Sequence, residues 1–308
     1  MKSRAAAAEM GDVSDMQRLL DDVVRIVDDA AQLALRMLDD GVANWRKSDR
    51  SPVTEIDIAV DRMLRKRLRD TLPTAGWLSE ETTDDVIRLD RELVWIVDPI
   101  DGTRSLMENT DEFAISVALS RAGDGPILGV VHNPRRKERF VALKGQGAWQ
   151  LEGSELRCAT RHGDDGLRLL VSRTELRKGL WRNMPMPCEL QPTSSLAYKM
   201  ALVARGDADA TLTPWPRSEW DAAAGQLLVS EAGGRTTDAF GEPLIFNSAS
   251  PQLRGIVVAS RAAWDDVLAL APELRRRRDI VLDMLQRGEL TETGELPAVP
   301  TRADRDDL

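Results

Sequence analysis

The run Val94-Trp95-Ile96-Val97-Asp98-Pro99-Ile100-Asp101-Gly102-Thr103 constrains this chain more than any other feature. Its first four residues are apolar and mostly β-branched, which reads as a buried strand. That strand ends abruptly in two carboxylates, a proline, a glycine and a hydroxyl. Pro99 removes a backbone donor, and Gly102 permits a geometry that a Cβ hinders, so the chain turns there. A turn that presents Asp98, Asp101 and Thr103 at the end of a strand is a place to hold a divalent metal and a water. The plainer alternative is a turn and nothing more, because Asp, Pro and Gly all favour turns.

Composition narrows the chemistry open to that turn. At 308 residues, the length predicts about two domains, or two sub-domains sharing one core, at roughly 150 residues per domain. A net charge of −9 argues against binding a nucleic-acid polymer, whose footprint is basic. No apolar run approaches the ~20 residues of a membrane span, and Met1 to Gly11 lacks the apolar core of a secretory signal, so the chain reads as cytoplasmic. Cys158 and Cys188 sit in no C-x-x-C pattern and read as ordinary reduced thiols. His132 and His162 are the only histidines, too few for nucleophile-base arrangements, so acid chemistry rests on carboxylates.

Periodicity sets the order of elements. Leu19, Leu20, Val23, Ile26, Val27, Ala30 and Leu33 predict an amphipathic helix over Met16 to Leu38, and Thr54-Glu55-Ile56-Asp57 starts a second one that stops near Pro73. A loop with Glu80 and Glu81 leads into the apolar strand. Phe113 to Leu119, Ile127 to His132, Glu138 to Leu143 and Gly147 to Leu151 read as strands of an antiparallel sheet. Strands at Leu167 to Ser172, Ala208 to Leu212 and Gly255 to Ala259 alternate with helices at Ser194 to Ala204 and Asp221 to Ala232, as in a layered α/β region. The chain therefore divides into an N-terminal α+β part over 1–151, a C-terminal α/β part over 152–274, and an extension over 275–308, read as a frayed helix and a disordered end.

Three motifs carry a family resemblance together: Ser79-Glu80-Glu81; Trp95 to Thr103; and Trp220-Asp221-Ala222-Ala223-Ala224-Gly225 followed by Glu231-Ala232-Gly233-Gly234. In order and spacing they resemble the inositol monophosphatase superfamily, over about Leu19 to Ala259. The resemblance implies a layered αβαβα sandwich, monomers or homodimers, and a phosphatase that uses two or three Mg²⁺. It implies Glu80, Asp98 and the Ile100 carbonyl as ligands of one ion, and Asp98, Asp101 and Asp221 as ligands of a second. Thr103 matches the residue that orients the attacking water, and Asp57 the carboxylate behind it. Glu81 is either a base beside the metals or a ligand of a further ion. Gly102, Ser195 and Lys199, with Asp101, Thr103 and Asp221, are expected to face a small anionic phosphate ester.

Other Asp-rich turns fit less well. Haloacid-dehalogenase-like phosphatases place their two acids two residues apart, whereas Asp98 and Asp101 are three apart. Calcium loops of the EF-hand type need alternating acids and a distal Glu that are missing here. Ser51-Pro52-Val53-Thr54, Trp77 to Glu81 and Ser218-Glu219-Trp220-Asp221 look most like the bacterial 3'(2'),5'-bisphosphate nucleotidase branch, whose members are lithium-sensitive enzymes of sulfur assimilation. Inositol monophosphatases usually place a hydroxyl-binding Glu seven residues before the second-motif Asp, and here that position is Pro214. Arg173, Arg177, Lys178, Lys199 and Arg217 are candidates for a second phosphate, or ordinary surface charge. Alternatives are an inositol 1-phosphate or broad sugar-phosphate phosphatase, and a degenerate module that only binds anions.

Overall fold

The stripe Leu19, Leu20, Val23, Ile26, Val27, Ala30 and Ala34 forms the buried face of helix α1 (Val13–Asp39). In this computed structural model, residues 13–41, 44–46, 52–160 and 166–287 are described. His162 and the segment 288–308 fall outside them. A short antiparallel pair, β1 (Asn44–Arg46) and β2 (Pro52–Thr54), leads to α2 (Glu55–Thr71). Thr54 caps α2 by accepting from Ile56 N at 3.1 Å, and Asp57 Oδ2 accepts from Thr54 N at 2.9 Å, which completes a capping box.

Both helices lie on a six-stranded sheet of order β3-β4-β5-β6-β7-β8. Its strands are β3 (Gly76–Ser79), β4 (Leu93–Asp101), β5 (Ala114–Arg121), β6 (Gly125–Asn133), β7 (Glu138–Leu143) and β8 (Gly147–Gln150). Side chains alternate across β4: Trp95 and Val97 enter the cluster beneath α1 and α2, while Val94 and Ile96 enter the cluster on the opposite face. Burial of Val94, Ile96 and Val97 contributes roughly 1.5–3 kcal/mol each.

That opposite face packs on α5 (Leu196–Arg205) and α6 (Glu219–Glu231), which also bear on a second sheet. This sheet has order β10-β9-β11-β15-β13, from β9 (Leu167–Val171), β10 (Cys188–Pro192), β11 (Ala210–Thr213), β13 (Arg235–Thr237) and β15 (Ile256–Ala259). A small pair, β12 (Arg217–Ser218) and β14 (Gln252–Leu253), stands beside it. Helix α7 (Trp264–Gln286) covers the outer face through Trp264, Val267, Leu270 and Leu274. Short helices α3 (Thr103–Met107) and α4 (Arg173–Arg177) edge the space between the sheets. The layers run α, β, α, β, α, the sandwich expected. Small residues let the middle layer close: a Cβ at Gly225 of α6 would lie 2.7 Å from Met200 Cβ of α5.

Three expectations change. The stretch before Glu80 is not all loop, because Gly76–Ser79 pairs parallel to β4, making the sheet mixed rather than antiparallel; four residues buried throughout leave no period to detect. Strands β10 and β13 add to the second sheet, although neither carries an apolar run that marks a strand. The border between 152–274 and 275–308 falls inside α7, which runs unbroken through the four arginines. Arg277 is 2% exposed there, and its guanidinium donates to the carbonyls of Leu180 at 2.9 Å and Asn183 at 3.1 Å. A buried cation that satisfies backbone oxygens is not part of a frayed end.

Candidate active site

The end of β4 is shaped by its own sequence. Pairing with β5 runs regularly from Leu93 to Asp98, opposite Ser116, then slips so that Asp101 meets Ala114. Pro99 cannot donate to the ladder, and the slip is the bulge that follows. Asp98 Oδ1 accepts from Ile100 N at 3.0 Å, which tightens the turn. Gly102 completes it with φ +100°, and a Cβ there would lie 3.0 Å from Glu112 O. No other residue fits both conditions.

Thr103 then starts α3 with its hydroxyl facing back. Its Oγ1 donates to Asp57 Oδ1 at 2.9 Å and lies 3.2 Å from the Ile100 carbonyl oxygen. The other Asp57 oxygen takes Thr54 N and Thr54 Oγ1, the latter at 2.5 Å, so the cap of α2 and the hold on Thr103 are one carboxylate. Burial pushes the Asp57 carboxyl above its ordinary range, against the lowering effect of Thr54 and Thr103.

Glu80 follows β3, whose end is pinned from α2. Asp61 accepts from the Ser79 hydroxyl and, at 2.7 Å, from Thr82 Oγ1, and Glu80 N reaches Val97 O at 3.4 Å. Asp101 is tied across the cleft, where its Oδ2 accepts from Ser195 Oγ at 2.8 Å and Ala197 N at 2.7 Å at the start of α5. Asp221 sits in the first turn of α6, accepting from Ser218 N at 3.1 Å.

These elements enclose a cleft of about 700 Å³. Its N-terminal wall carries Glu80, Asp98, Ile100, Asp101, Gly102 and Thr103; its C-terminal wall carries Ser195, Lys199, Trp215, Arg217 and Asp221. The expected ligand and substrate residues are thus brought together, with Asp57 behind Thr103. Glu81 is not among them. It lines a neighbouring cavity with Asp61, Arg62 and Arg65.

Charge in the cleft is concentrated. Asp98 is 1% exposed, and burial, then Glu80, Asp101, Asp221 and Asp57, push its carboxyl well above the usual range. Burial and the neighbouring Asp101 and Glu80 push Asp221 up to about 7. Burial lowers Lys199 to about 8 although Glu175 and Asp101 draw it upward. Among the described residues no three such side chains already stand in ligating geometry, and Asp101 is turned onto Ser195. The donor set nevertheless fits a hard divalent cation: every group is an oxygen, the acids repel one another, and buried Asp98 Oδ2 has no hydrogen-bond partner.

Several residues that matter here belong to no motif. Asp61 follows Asp57 by one helical turn, the signal that could have found it. Glu112 accepts from Arg173 Nε and Nη2, at 3.2 and 2.7 Å, and from Ser194 N at 3.0 Å, so the charge of Arg173 is paired within the protein. Arg88 joins the two halves, donating to Asp84 at 2.7 Å, to Asn247 Oδ1 at 2.7 Å and to Ser248 O at 2.8 Å.

Comparison with known proteins agrees with this geometry. Residues 15–275 match the inositol monophosphatase family. The chain is 31% identical over 238 residues to the 3'(2'),5'-bisphosphate nucleotidase CysQ of Aggregatibacter actinomycetemcomitans, a match covering 74% of this chain and 87% of that one. It is 31% identical over 236 residues to Nus factor SuhB of Escherichia coli K12, covering 73% and 87%. Among solved structures, an IMPase of Thermotoga maritima aligns with a TM-score of 0.72 at 26% identity, covering 85% of this chain and 98% of that one.

Proposed function

Since the chain belongs to the inositol monophosphatase family and is a phosphatase of that family, we propose that it removes the 3'-phosphate of 3'-phosphoadenosine 5'-phosphate, giving AMP and phosphate. The observation that carries this reading is the polarity of the cleft. One wall holds Glu80, Asp98, Asp101 and Thr103 with Arg104, while the other holds four basic residues, Arg177, Lys178, Lys199 and Arg217, against two acids, Glu175 and Asp221. A substrate with two phosphates separated by a nucleoside matches such a cleft, one phosphate at each end. Similarity to the nucleotidase relatives supports the same choice.

Glu80, Asp98 and the Ile100 carbonyl would hold one Mg²⁺, and Asp98, Asp101 and Asp221 a second; Glu81 is left out of the assignment. Bound Mg²⁺ supplies Lewis-acid polarisation of phosphoryl oxygens and makes water more acidic. Thr103 does the positioning. With its proton directed at Asp57 Oδ1, its lone pairs are left to accept a hydrogen bond from a water in the cleft, which aims that water at phosphorus for in-line displacement. Asp57 cannot swing away because Thr54 holds its other oxygen. No side chain needs to become phosphorylated.

The inositol-phosphate alternative is disfavoured by Pro214, which is buried and offers its carbonyl to Arg278 at 2.8 Å where a hydroxyl-binding carboxylate would be needed. Side-by-side kcat/KM values on 3'-phosphoadenosine 5'-phosphate, inositol 1-phosphate and fructose 1,6-bisphosphate, in Mg²⁺ and in EDTA, test the proposal. Preference for the nucleotide, lost in EDTA and reduced by lithium, is expected. Preference for inositol 1-phosphate overturns it.

A further inference from the structure

Arg278 lies on α7 just beyond residue 275, where the family match ends. Its side chain is 19% exposed. Nη1 donates to Pro214 O at 2.8 Å, while Nε and Nη2 are held by Asp279 Oδ1 at 3.0 and 2.8 Å. Pro214 precedes Trp215, and Pro216 follows it. Two fixed φ angles, and the preference for extended backbone before proline, leave the segment little freedom once the Pro214 carbonyl is anchored. Trp215 packs against the apolar cluster under α7 and also lines the cleft.

Over that indole stands Lys178, with Nζ 5.0 Å from the ring centroid. Two of the other basic residues of this wall face carboxylates, whereas among the described residues Arg177 reaches only the Thr174 hydroxyl, at 3.5 Å, and Lys199 is buried on α5. Arg173 is doubly bonded to Glu112, and Arg217 lies 3.9 Å from Glu175. A ring face attracts an ammonium without neutralising it or occupying its N–H donors as a carboxylate does. Lys178 therefore reaches the cleft as a placed cation that keeps its charge and its donors for a ligand.

We propose that Lys178, seated on Trp215, receives a second anionic group of the substrate, and that α7, through Arg278, is the device that positions this pair. The identity of the substrate rests on the nucleotidase reading above; the role of the pair does not. Arg278 acts through Trp215 and touches no substrate. It is a positioning residue.

The test uses two substrate pairs that each differ by one phosphate: 3'-phosphoadenosine 5'-phosphate against adenosine 3'-phosphate, and fructose 1,6-bisphosphate against fructose 1-phosphate. The readout is the ratio of kcat/KM within a pair for the wild type, Lys178→Met, Arg278→Met and Arg278→Lys. Loss of a charge-assisted contact in Lys178→Met should lower the ratio about ten- to a hundredfold. Arg278→Met should lower it less, by about three- to tenfold, through KM for the doubly charged substrate, and Arg278→Lys should restore part of it. A merely structural role would lower both members of a pair together and leave the ratio alone.

An unchanged ratio in Lys178→Met overturns the inference, as does an Arg278→Met variant that scales both substrates equally. A wild type that favours the doubly charged member of neither pair overturns it too. Turnover of the fructose pair without the nucleotides overturns the nucleotidase reading instead, and the variants are then judged on the fructose ratio.

Discussion

Asp98→Asn should make the metal-free protein more stable while destroying its turnover. Asp98 is 1% exposed, surrounded by four other acids, and its Oδ2 has no partner. At pH 7.5 the folded chain must either keep that charge out of water or hold a proton that the unfolded chain, at the ordinary value of 3.8, has released. Either way the cost is that of a buried carboxylate with no compensating partner, about 3–5 kcal/mol. Asparagine carries no charge and keeps the Oδ1 acceptor for Ile100 N. It places an amide donor where Oδ2 has no partner, which costs about 1–3 kcal/mol. The net gain is about 2 kcal/mol, or roughly 3 °C in Tm for a chain of this length. The sign with pH follows. The folded carboxyl is raised, so the folded state binds more protons and wild-type stability declines as pH rises above 3.8. The advantage of asparagine is therefore small near pH 4 and grows towards pH 7.5. Urea midpoints in EDTA across that range measure it. Added Mg²⁺ at a hundred times its Kd should return about 2.7 kcal/mol to the wild type and far less to the variant. An Asp98→Asn variant no more stable than wild type in EDTA at pH 7.5, or a difference that ignores pH, would refute the picture of acids held together against their own repulsion.

Other perturbations probe the frame around that cluster. Gly102→Ala forces a side chain into φ +100° and towards Glu112 O, so a loss of about 2–3 kcal/mol in urea unfolding, with lowered kcat, is expected. Arg88→Met removes a cation that is 2% exposed and bonded to Asp84, Asn247 and Ser248, and should cost about 3–5 kcal/mol; a change below about 1 kcal/mol would deny it the joining role. Burial holds His132 down to about 4 beside Asp28 and Arg139, so the folded state takes up fewer protons than the unfolded one between pH 6.5 and about 4. Stability falls by about 3 kcal/mol as pH drops through that window, and His132→Gln should flatten the decline; parallel curves for the two proteins would dismiss the assignment.

What could be read from sequence was local in the chain. Thr54 and Asp57 lie within one turn of helix, and Asp98 to Thr103 within one strand end, so spacing alone carries their geometry. The periodicity of α1 survives because one face of a long helix meets one sheet. Strand β3 had no such signal, being four residues buried on both faces. The contacts that join the halves were hidden for another reason. Arg88 meets Asn247 across 159 residues, Asp101 meets Ser195 across 94, and Glu112 meets Ser194 across 82. No period or motif encodes such pairs; they exist only once two sheets share the layer formed by α5 and α6. The same limit applies to the four arginines of α7, where composition indicated a solvated end and packing buries Arg277.

Net charge alone would have argued against a phosphate-binding protein, since the chain carries −9. The resolution is spatial. Acids crowd the wall formed by β4 and the turn after β3, where a bound hard cation would relieve their mutual repulsion and reverse the sign that an entering phosphate meets. The opposite wall adds positive charge of its own through Arg177, Lys178, Lys199 and Arg217 beside Glu175 and Asp221, with Lys178 seated on an aromatic ring. An ion pair on Lys178 would have cancelled the field that the ring preserves. On the proposal made above, specificity in this cleft depends less on how many basic residues line it than on which of them are left without a carboxylate, an arrangement set by the second sheet and α7 rather than by the turn after β4.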